Sequence, residues 1–165
     1  MSNGILNWNY TGLAKNKTGW FYIKNGKVDF SKTGLVYNAG NWFYVQNGFL
    51  NWKTCTLAQN GGVWYGVHNG YVDWSYSGII RLGSSYYYVS NGILNWKYTG
   101  LAKNETGWFY VKKGKVDFSK TGLVYNAGNW FWITKGFLNW NSNGVVPYAN
   151  DWFCIRNGRI DWSYT

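Results

Sequence analysis

The sequence has little of what most enzymes and metal-binding domains need. Its 165 residues include one proline, one histidine, two cysteines and six acidic residues. A single histidine, His68, excludes a catalytic triad, and the six scattered carboxylates show no pair with the opposed roles of a glycosidase acid and base. Neither cysteine has a second Cys or His at metal-ligand spacing. The sequence therefore predicts neither an enzyme nor a protein that depends on a metal or a cofactor.

Long apolar runs are scarce as well. No stretch approaches the roughly 18 consecutive apolar residues that cross a membrane, and the N-terminal residues lack the pattern of a signal peptide. We therefore expect no membrane insertion. What the chain has in excess is glycine, with 22 residues, and aromatic rings, which make up 22% of the chain. Only 13% of the residues are charged, yet the net charge is +10.

Internal repetition organises the whole chain. Glycines recur every 22 residues, at positions 4, 26, 48, 70, 92, 114, 136 and 158. Each follows Asn or Lys and precedes one variable residue, an aliphatic residue, Asn or Asp, and then Trp or Phe. Residues 3–90 and 91–165 are duplicated halves, since 3–52 and 91–140 differ at eight of fifty positions. We expect a single repeat domain, residues 1–165, of about seven and a half units, excised from a longer protein.

The repeated glycine predicts a β-hairpin in every unit. Asn-Gly between two apolar runs favours a type I′ turn, in which both central residues have positive φ. With strands at 20–24 and 27–31, this turn pairs Ile23 with Val28 and Phe21 with Phe30 on one apolar face. A short third strand around 34–36 is expected to add Leu35 to the core. No segment has helical periodicity.

A lone hairpin is only marginally stable in water, so successive hairpins must stack to bury their apolar faces. The expected fold is all-β, a β-solenoid of stacked 22-residue hairpins. A closed ring of hairpins, similar to a propeller or a prism, is the alternative that the pattern leaves open. Because Cys55 and Cys154 are 99 residues apart, a solenoid places them beyond bridging distance, and we expect no disulfide between them.

One unit reads Thr11-Gly12-Leu13 and then Gly19-Trp20-Phe21-Tyr22-Ile23-Lys24-Asn25-Gly26-Lys27-Val28-Asp29-Phe30. This sequence resembles the cell-wall-binding repeats of Gram-positive secreted proteins, which include choline-binding and glucan-binding relatives. The resemblance implies a hairpin solenoid, secreted or at the bacterial cell surface, that holds its ligand on aromatic residues between adjacent repeats. Choline-binding repeats usually have Gly-Trp where this chain has Gly-Leu, at 12–13, 34–35, 100–101 and 122–123. That change removes one aromatic wall from a cage for a quaternary ammonium group.

The hairpin face opposite Ile23 and Val28 mixes rings with carboxylates and amides, and it holds the candidate ligand-binding residues. Sugars pack their C–H faces on aromatic rings, and their hydroxyl groups donate hydrogen bonds to carboxylates. Alternatively, neighbouring coils cover this face and its rings are structural. Gly66 and Cys154 replace the second ring of their units, which are therefore the weakest candidates. The candidates are Trp20, Tyr22, Asp29, Trp42, Tyr44, Asp73, Trp108, Tyr110, Asp117, Trp130 and Trp132.

These residues predict a non-catalytic module that anchors a secreted bacterial protein to an envelope polymer or an extracellular glycan. The expected partners are teichoic acid, peptidoglycan glycan or a glucan, with a host glycan or protein left open. The alternative function is a protein-binding adhesin repeat or a structural spacer. The lysines favour an anionic partner, or else they serve solubility and protect strand edges. Nucleic acid is disfavoured, because no RNA-binding fingerprint is present and aspartates alternate with the rings.

Overall fold

The computed structural model describes residues 6–164, which form β-strands and turns. These residues contain no helix that is long and apolar enough to cross a bilayer. Three strands make up each repeat, and we number the seven described repeats in chain order. The strands are β1 Gly12–Lys15, β2 Trp20–Lys24 and β3 Lys27–Val28; β4 Gly34–Asn38, β5 Asn41–Gln46 and β6 Phe49–Leu50; β7 Thr56–Asn60, β8 Val63–His68 and β9 Tyr71–Val72; β10 Gly78–Leu82, β11 Ser85–Ser90 and β12 Ile93–Leu94; β13 Gly100–Asn104, β14 Gly107–Lys112 and β15 Lys115–Val116; β16 Gly122–Asn126, β17 Asn129–Thr134 and β18 Phe137–Leu138; β19 Gly144–Tyr148, β20 Asp151–Arg156 and β21 Arg159–Ile160.

The first two strands of a repeat form its longer hairpin. In the second repeat, β4 and β5 pair antiparallel along the whole length of β4. The turn between them is formed by Ala39 and Gly40, whose φ angles are 46° and 86°, as a type I′ turn requires. The predicted short strand around 34–36 is therefore confirmed and is longer than expected. Its Leu35 is buried, which was also predicted.

The Asn-Gly turn joins the second strand of a repeat to its short third strand. Asn25 and Gly26 have φ angles of 49° and 73°, so the predicted turn is confirmed. Ile23 pairs with Val28 as expected.

The predicted pairing of Phe21 with Phe30 is wrong. Phe21 lies opposite Phe49, which the next repeat contributes. Strand β3 ends at Val28, because the Asp29 carboxylate accepts hydrogen bonds from the N–H and the hydroxyl of Ser31 at 2.9 and 2.6 Å. This local turn competes with the strand ladder. Phe30, beyond the end of the strand, is 56% exposed and not part of the core.

Consecutive repeats are joined at the same turn. Gly48 donates its N–H to the carbonyl of Lys32, and its own carbonyl accepts the N–H of Tyr22, both at 2.8 Å. The same two hydrogen bonds recur at Gly136. The second strand of one repeat accordingly pairs with the short third strand of the next repeat. These pairs are β2 with β6, β5 with β9, β14 with β18 and β17 with β21. The fold is the all-β solenoid of stacked hairpins that the sequence predicts.

Two compact units can be distinguished. One is the chain up to Leu82 together with Val89–Leu94, and the other is Gly83–Tyr88 together with the chain from Asn95 onwards. Each unit has core clusters to which two neighbouring repeats contribute. Burial of one aliphatic side chain in such a cluster stabilises the folded state by about 1.5–3 kcal/mol. The hairpins must stack because a repeat cannot complete its own core. The clusters at equivalent places of the two units are Leu13, Val36, Val45 and Leu50, and Leu101, Val124, Ile133 and Leu138.

Candidate functional site

Two aromatic side chains, two residues apart on the long strand of a repeat, form what we call a ring pair. The ring pairs with predicted ligand-binding residues are Trp20/Tyr22, Trp42/Tyr44, Trp108/Tyr110 and Trp130/Trp132. All eight rings are half-buried. Period-two alternation places both members of a pair on one side of their strand. Each pair packs against a core cluster, as Trp20 and Tyr22 do against the cluster that contains Leu13 and Val45. The rings therefore support the core and still keep part of their surface in solvent.

Lysines cover the ring pairs of the first and fifth repeats. The Nζ of Lys15 lies 5.9 Å from the centre of the Trp20 ring, and that of Lys32 lies 5.9 Å from the Tyr22 ring. Lys15 is directly opposite Trp20 in the β1–β2 pairing. The fifth repeat repeats the arrangement, with Lys103 over Trp108 at 5.7 Å and Lys120 over Tyr110 at 5.8 Å. These ring faces thus already carry cations of the chain itself.

The second and sixth repeats have an aromatic residue where the first and fifth have lysine. Tyr37 lies opposite Trp42 in the β4–β5 pairing, with ring centroids 5.3 Å apart and planes tilted by 59°. Tyr125 and Trp130 are related in the same way, at 5.4 Å and 56°. Both tyrosines are 58% exposed. These two repeats therefore present an extended aromatic surface that no lysine at this position covers.

Each of the three aspartates predicted to bind ligand directly follows the short third strand of its repeat. In all three, Oδ1 accepts the N–H and the hydroxyl of the serine two residues later. These bonds to Ser31 lower the pKa of Asp29, and the charges of Lys24 and Lys32 lower it further. The Ser119 hydroxyl is likewise the main cause of the lowered pKa of Asp117. The aspartates are consequently ionised near neutral pH, and one oxygen of each is engaged in a turn.

Two of the aspartates lie beside a ring pair. The N–H of Asp29 donates to the carbonyl of Tyr22, and that of Asp117 donates to the carbonyl of Tyr110, each at 3.0 Å. Trp20, Tyr22 and Asp29 are thus brought together in the first repeat, and their counterparts are brought together in the fifth. The ring pairs of the second and sixth repeats have Asn51 and Asn139 at the aspartate position.

Asp73 has different surroundings. Its N–H donates to the carbonyl of Gly66 at 3.4 Å, in the repeat where glycine replaces the second ring. Its Oδ2 lies 3.6 Å from Nδ1 of His68, whose ring stacks on Tyr76 at 4.9 Å. Hydrogen bonds to Ser75 and the proximity of His68 lower the pKa of Asp73. The third repeat therefore has an acid–imidazole pair in place of a ring pair with an aspartate.

A second series of rings, which is absent from the predicted binding residues, follows the Asp or Asn of each repeat. Trp52, for example, is 47% exposed and meets the edge of Phe43 at 6.0 Å and 87°. The expected strand 27–31 is three residues longer than β3, and it placed Phe30 of this series in the core. Turn-forming Asp or Asn before each ring was the signal that alternation ends there. Other rings in the same edge-on arrangement are Trp74, Trp96, Trp140 and Trp162.

Cys55 and Cys154 are both thiols, as expected. Among residues 6–164, no three His, Cys, Asp or Glu side chains come together in a way that would hold a metal ion.

One family of known proteins matches the repeats of this chain. No curated protein sequence matches the chain. Two solved structures are similar over 92% of this chain at 16% identity: CbpJ from Streptococcus pneumoniae TIGR4, with a TM-score of 0.35, and CbpF in complex with ipratropium, with a TM-score of 0.34. The chain spans about half of their length, 52% and 54% respectively. The family model described as "Choline-binding repeat" matches seven consecutive segments, at residues 9–29, 31–51, 53–73, 75–95, 97–117, 119–139 and 141–161. Because these matches cover most of the sequence and coincide with the seven described repeats, the chain belongs to the choline-binding repeat family.

Proposed function

We propose that this chain is a non-catalytic module that binds a bacterial cell-wall polymer or an extracellular glycan and so anchors a secreted protein at the cell surface. Membership of the choline-binding repeat family supports a role in binding. The observation that carries the proposal is the ring pair, a half-buried aromatic platform that the fold presents on several repeats. Rings fixed by a core bind a ligand with little loss of side-chain entropy.

The ring pairs of the second and sixth repeats are the main binding sites in this proposal. Trp42 is extended by Tyr37, and Trp130 is extended by Tyr125 and also lies 5.0 Å from Tyr148. Such a surface suits the C–H face of a sugar or a cationic headgroup. The bound rings would be those of Trp42, Tyr44, Trp130 and Trp132.

The ring pairs of the first and fifth repeats form a second class of site. A lysine ammonium over Trp20 or Trp108 competes with a cationic headgroup but attracts an acidic one. Tyr22 and Tyr110 complete these sites. Asp29 and Asp117, whose N–H groups bond to the carbonyls of these tyrosines, would accept hydrogen bonds from ligand hydroxyls through the oxygen that the turn does not use. Asp73, with Gly66 in place of a ring, is the weakest of the proposed binding residues.

Choline is a less favoured ligand in this proposal than a wall saccharide. Leu35 replaces the tryptophan that is usual in choline-binding repeats, and it is buried against Trp42 and Tyr44. An aliphatic wall lacks the negative ring face that attracts a quaternary ammonium group. We therefore expect free choline to bind more weakly than a wall saccharide.

The proposal is tested by sedimentation with insoluble Gram-positive cell walls, with walls stripped of teichoic acid and with insoluble glucan. Tryptophan fluorescence then measures the affinity for soluble fragments and for free choline. Release by choline assigns a choline-bearing polymer, release by a sugar fragment assigns a glycan, and loss of binding on stripping assigns teichoic acid. The proposal fails if the protein stays in solution with every polymer.

A matched pair of variants tests the sites. Tyr37→Ala with Tyr125→Ala removes two exposed rings from the main sites, and Gln46→Ala with Gln59→Ala alters two exposed, uncharged side chains elsewhere. The expected change in stability is within about 0.5 kcal/mol for each of these surface positions. Binding to walls should weaken only in the tyrosine variant, and equal binding by both variants would exclude these rings from the site.

A further inference from the structure

Two positions that flank the 22-residue-spaced turn alternate in charge from repeat to repeat. In odd-numbered repeats a basic residue or histidine precedes the turn and an aspartate follows it, namely Lys24/Asp29, His68/Asp73, Lys112/Asp117 and Arg156/Asp161. In even-numbered repeats both positions are neutral, namely Gln46/Asn51, Ser90/Asn95 and Thr134/Asn139. The two positions change together, so these charges form a local arrangement and are not scattered for solubility alone.

Three of the odd-numbered repeats carry a second cation, directly after the turn glycine. This cation is Lys27, Lys115 or Arg159. In each case the two cations and the aspartate line an open cleft, with a volume of about 530, 450 and 310 Å³ in the first, fifth and seventh repeats. We call these three sites the turn clefts. The same repeat position thus produces the same cleft three times.

The first cation of a turn cleft is matched by the aspartate. Nε of Arg156 lies 3.3 Å from Oδ2 of Asp161. The charges of Lys24 and Lys112 act in the same way on Asp29 and Asp117, whose pKa values they help to lower. Among the side chains that line each turn cleft, two cations and one carboxylate leave a surplus of one positive charge.

The second cation lies over an aromatic ring. Lys27 is 5.3 Å from the Trp8 ring centre, Lys115 is 5.8 Å from Tyr87, and the guanidinium of Arg159 is 5.7 Å from Trp140. All three cationic side chains are exposed. A cation held over a ring loses less freedom on binding an anion than a lysine that extends into solvent.

We propose that the turn clefts bind singly charged oxyanions, phosphodiester or carboxylate, of a polyhydroxylated polymer. One surplus charge per cleft matches one negative charge per unit of such a polymer. Exposed rings line the clefts as well, Phe118 in the fifth repeat and Trp162 in the seventh, and offer a surface for the C–H groups beside the anion. Several clefts on one chain bind a repeating polymer more tightly than a single unit. The turn clefts share Asp29 and Asp117 with the ring-pair sites of the first and fifth repeats. None of the cleft lining belongs to the ring pairs of the second and sixth repeats, so cleft binding does not depend on those main sites.

Calorimetric titration tests this inference with four soluble polymers. Polyglycerol phosphate supplies phosphodiesters, polygalacturonate supplies carboxylates, dextran is neutral, and single-stranded DNA carries phosphodiesters on a nucleic acid. The test variant combines Lys27→Gln, Lys115→Gln and Arg159→Gln. The control combines Lys53→Gln, Lys97→Gln and Lys135→Gln, which remove the same charge at exposed positions that line none of the clefts.

We expect the parent protein to bind polyglycerol phosphate or polygalacturonate, and whichever binds tighter identifies the anion. Affinity should fall by about tenfold or more in the test variant, since charge-assisted hydrogen bonds are lost, and by less than twofold in the control. Equal losses in both variants would overturn the inference, because they indicate nonspecific charge attraction. It also fails if neither polyanion binds, or if DNA binds more tightly than both.

The third repeat allows a gain of function. His68 and Tyr71 occupy the two cation positions there, and Asp73 is already in place. His68→Lys with Tyr71→Lys reproduces the residues of the first repeat and should add one binding equivalent in the titration. An unchanged stoichiometry would contradict the assignment of the two positions. The ring-pair proposal is tested by a different experiment, the sedimentation of the Tyr37 and Tyr125 variants with cell walls. A negative result in one experiment therefore does not decide the other proposal.

Discussion

The carbonyl oxygen of Asp29 lies so close to Gly48 of the next repeat that a Cβ on this glycine would be 2.6 Å from it. The same close approach occurs at every described glycine of the 22-residue series, with separations of 2.6–2.9 Å to the carbonyl of the preceding repeat. Positive φ alone does not require this repeated glycine, because Asn25 and Ala39 also have positive φ. Stacking of one hairpin on the next is what leaves no room for a side chain.

Two glycine substitutions separate these effects. Gly40→Ala introduces a side chain at φ 86° with no atom within 4 Å, so its cost should be limited to backbone strain of about 1 kcal/mol. Gly48→Ala adds overpacking against backbone and should cost about 3 kcal/mol or more. Urea denaturation measures both values. Equal destabilisation of the two variants would show that the repeats separate easily at the turn.

Much of the hairpin follows from local sequence. The Asn-Gly turn and the Ile23–Val28 pairing depend on neighbouring residues and on alternation, which a single repeat displays. Alternation also places Leu35 on the apolar side of its strand, although the buried residues around it, Ala58 and Val67, belong to the third repeat. The partner of Phe21 is Phe49, in the next repeat, and no local rule supplies that contact. Half-burial of the ring pairs has the same origin, since Trp20 packs on a cluster in which Val36, Val45 and Leu50 come from the second repeat. Stacking geometry decides these features, and the repeat pattern alone leaves it open.

Two turns have lysine where the other repeats have asparagine. Lys113 and Lys135 adopt φ values of 49° and 48°, a region that asparagine enters more readily than lysine. Lys113→Asn and Lys135→Asn should each raise stability by roughly 0.5 kcal/mol. Thermal unfolding gives the comparison, with Lys97→Asn as a control for charge removal. A control that gains as much stability as the turn variants would attribute the effect to charge.

Acid should destabilise the fold through its aspartates. Asp29, Asp73, Asp117 and Asp161 all have a folded-state pKa below the ordinary value, mainly because of the serine two residues later. Such a group contributes stability above its unfolded pKa of about 3.9, and this contribution is lost as the pH falls through the lower folded pKa. We therefore expect stability to be constant from pH 7 to about 5 and to decline below about pH 4.

Replacing these four aspartates by asparagine tests the assignment. Asparagine already accepts the turn hydrogen bond in even-numbered repeats, as Asn51 does from the N–H of Lys53 at 2.9 Å. The variant should stay folded and lose most of the decline below pH 4 in urea midpoints measured from pH 2 to 7. A control with Glu105→Gln and Asp151→Asn should keep the decline. If the control loses it and the aspartate variant does not, the turns are not responsible.

Exchange of the residues over the rings tests how the two classes of ring pair differ. Lys15 and Tyr37 lie opposite Trp20 and Trp42 in equivalent pairings. Tyr37→Lys with Tyr125→Lys gives the second and sixth repeats the lysine-covered arrangement, and wall binding should weaken by about tenfold because two exposed rings are lost. Lys15→Tyr with Lys103→Tyr does the opposite and should strengthen binding to a neutral or cationic ligand. All four positions are exposed, so melting temperatures should change little and binding reports on the site alone. If the lysine variant binds walls better and the tyrosine variant binds worse, the first and fifth repeats are the principal sites, and the ligand is acidic.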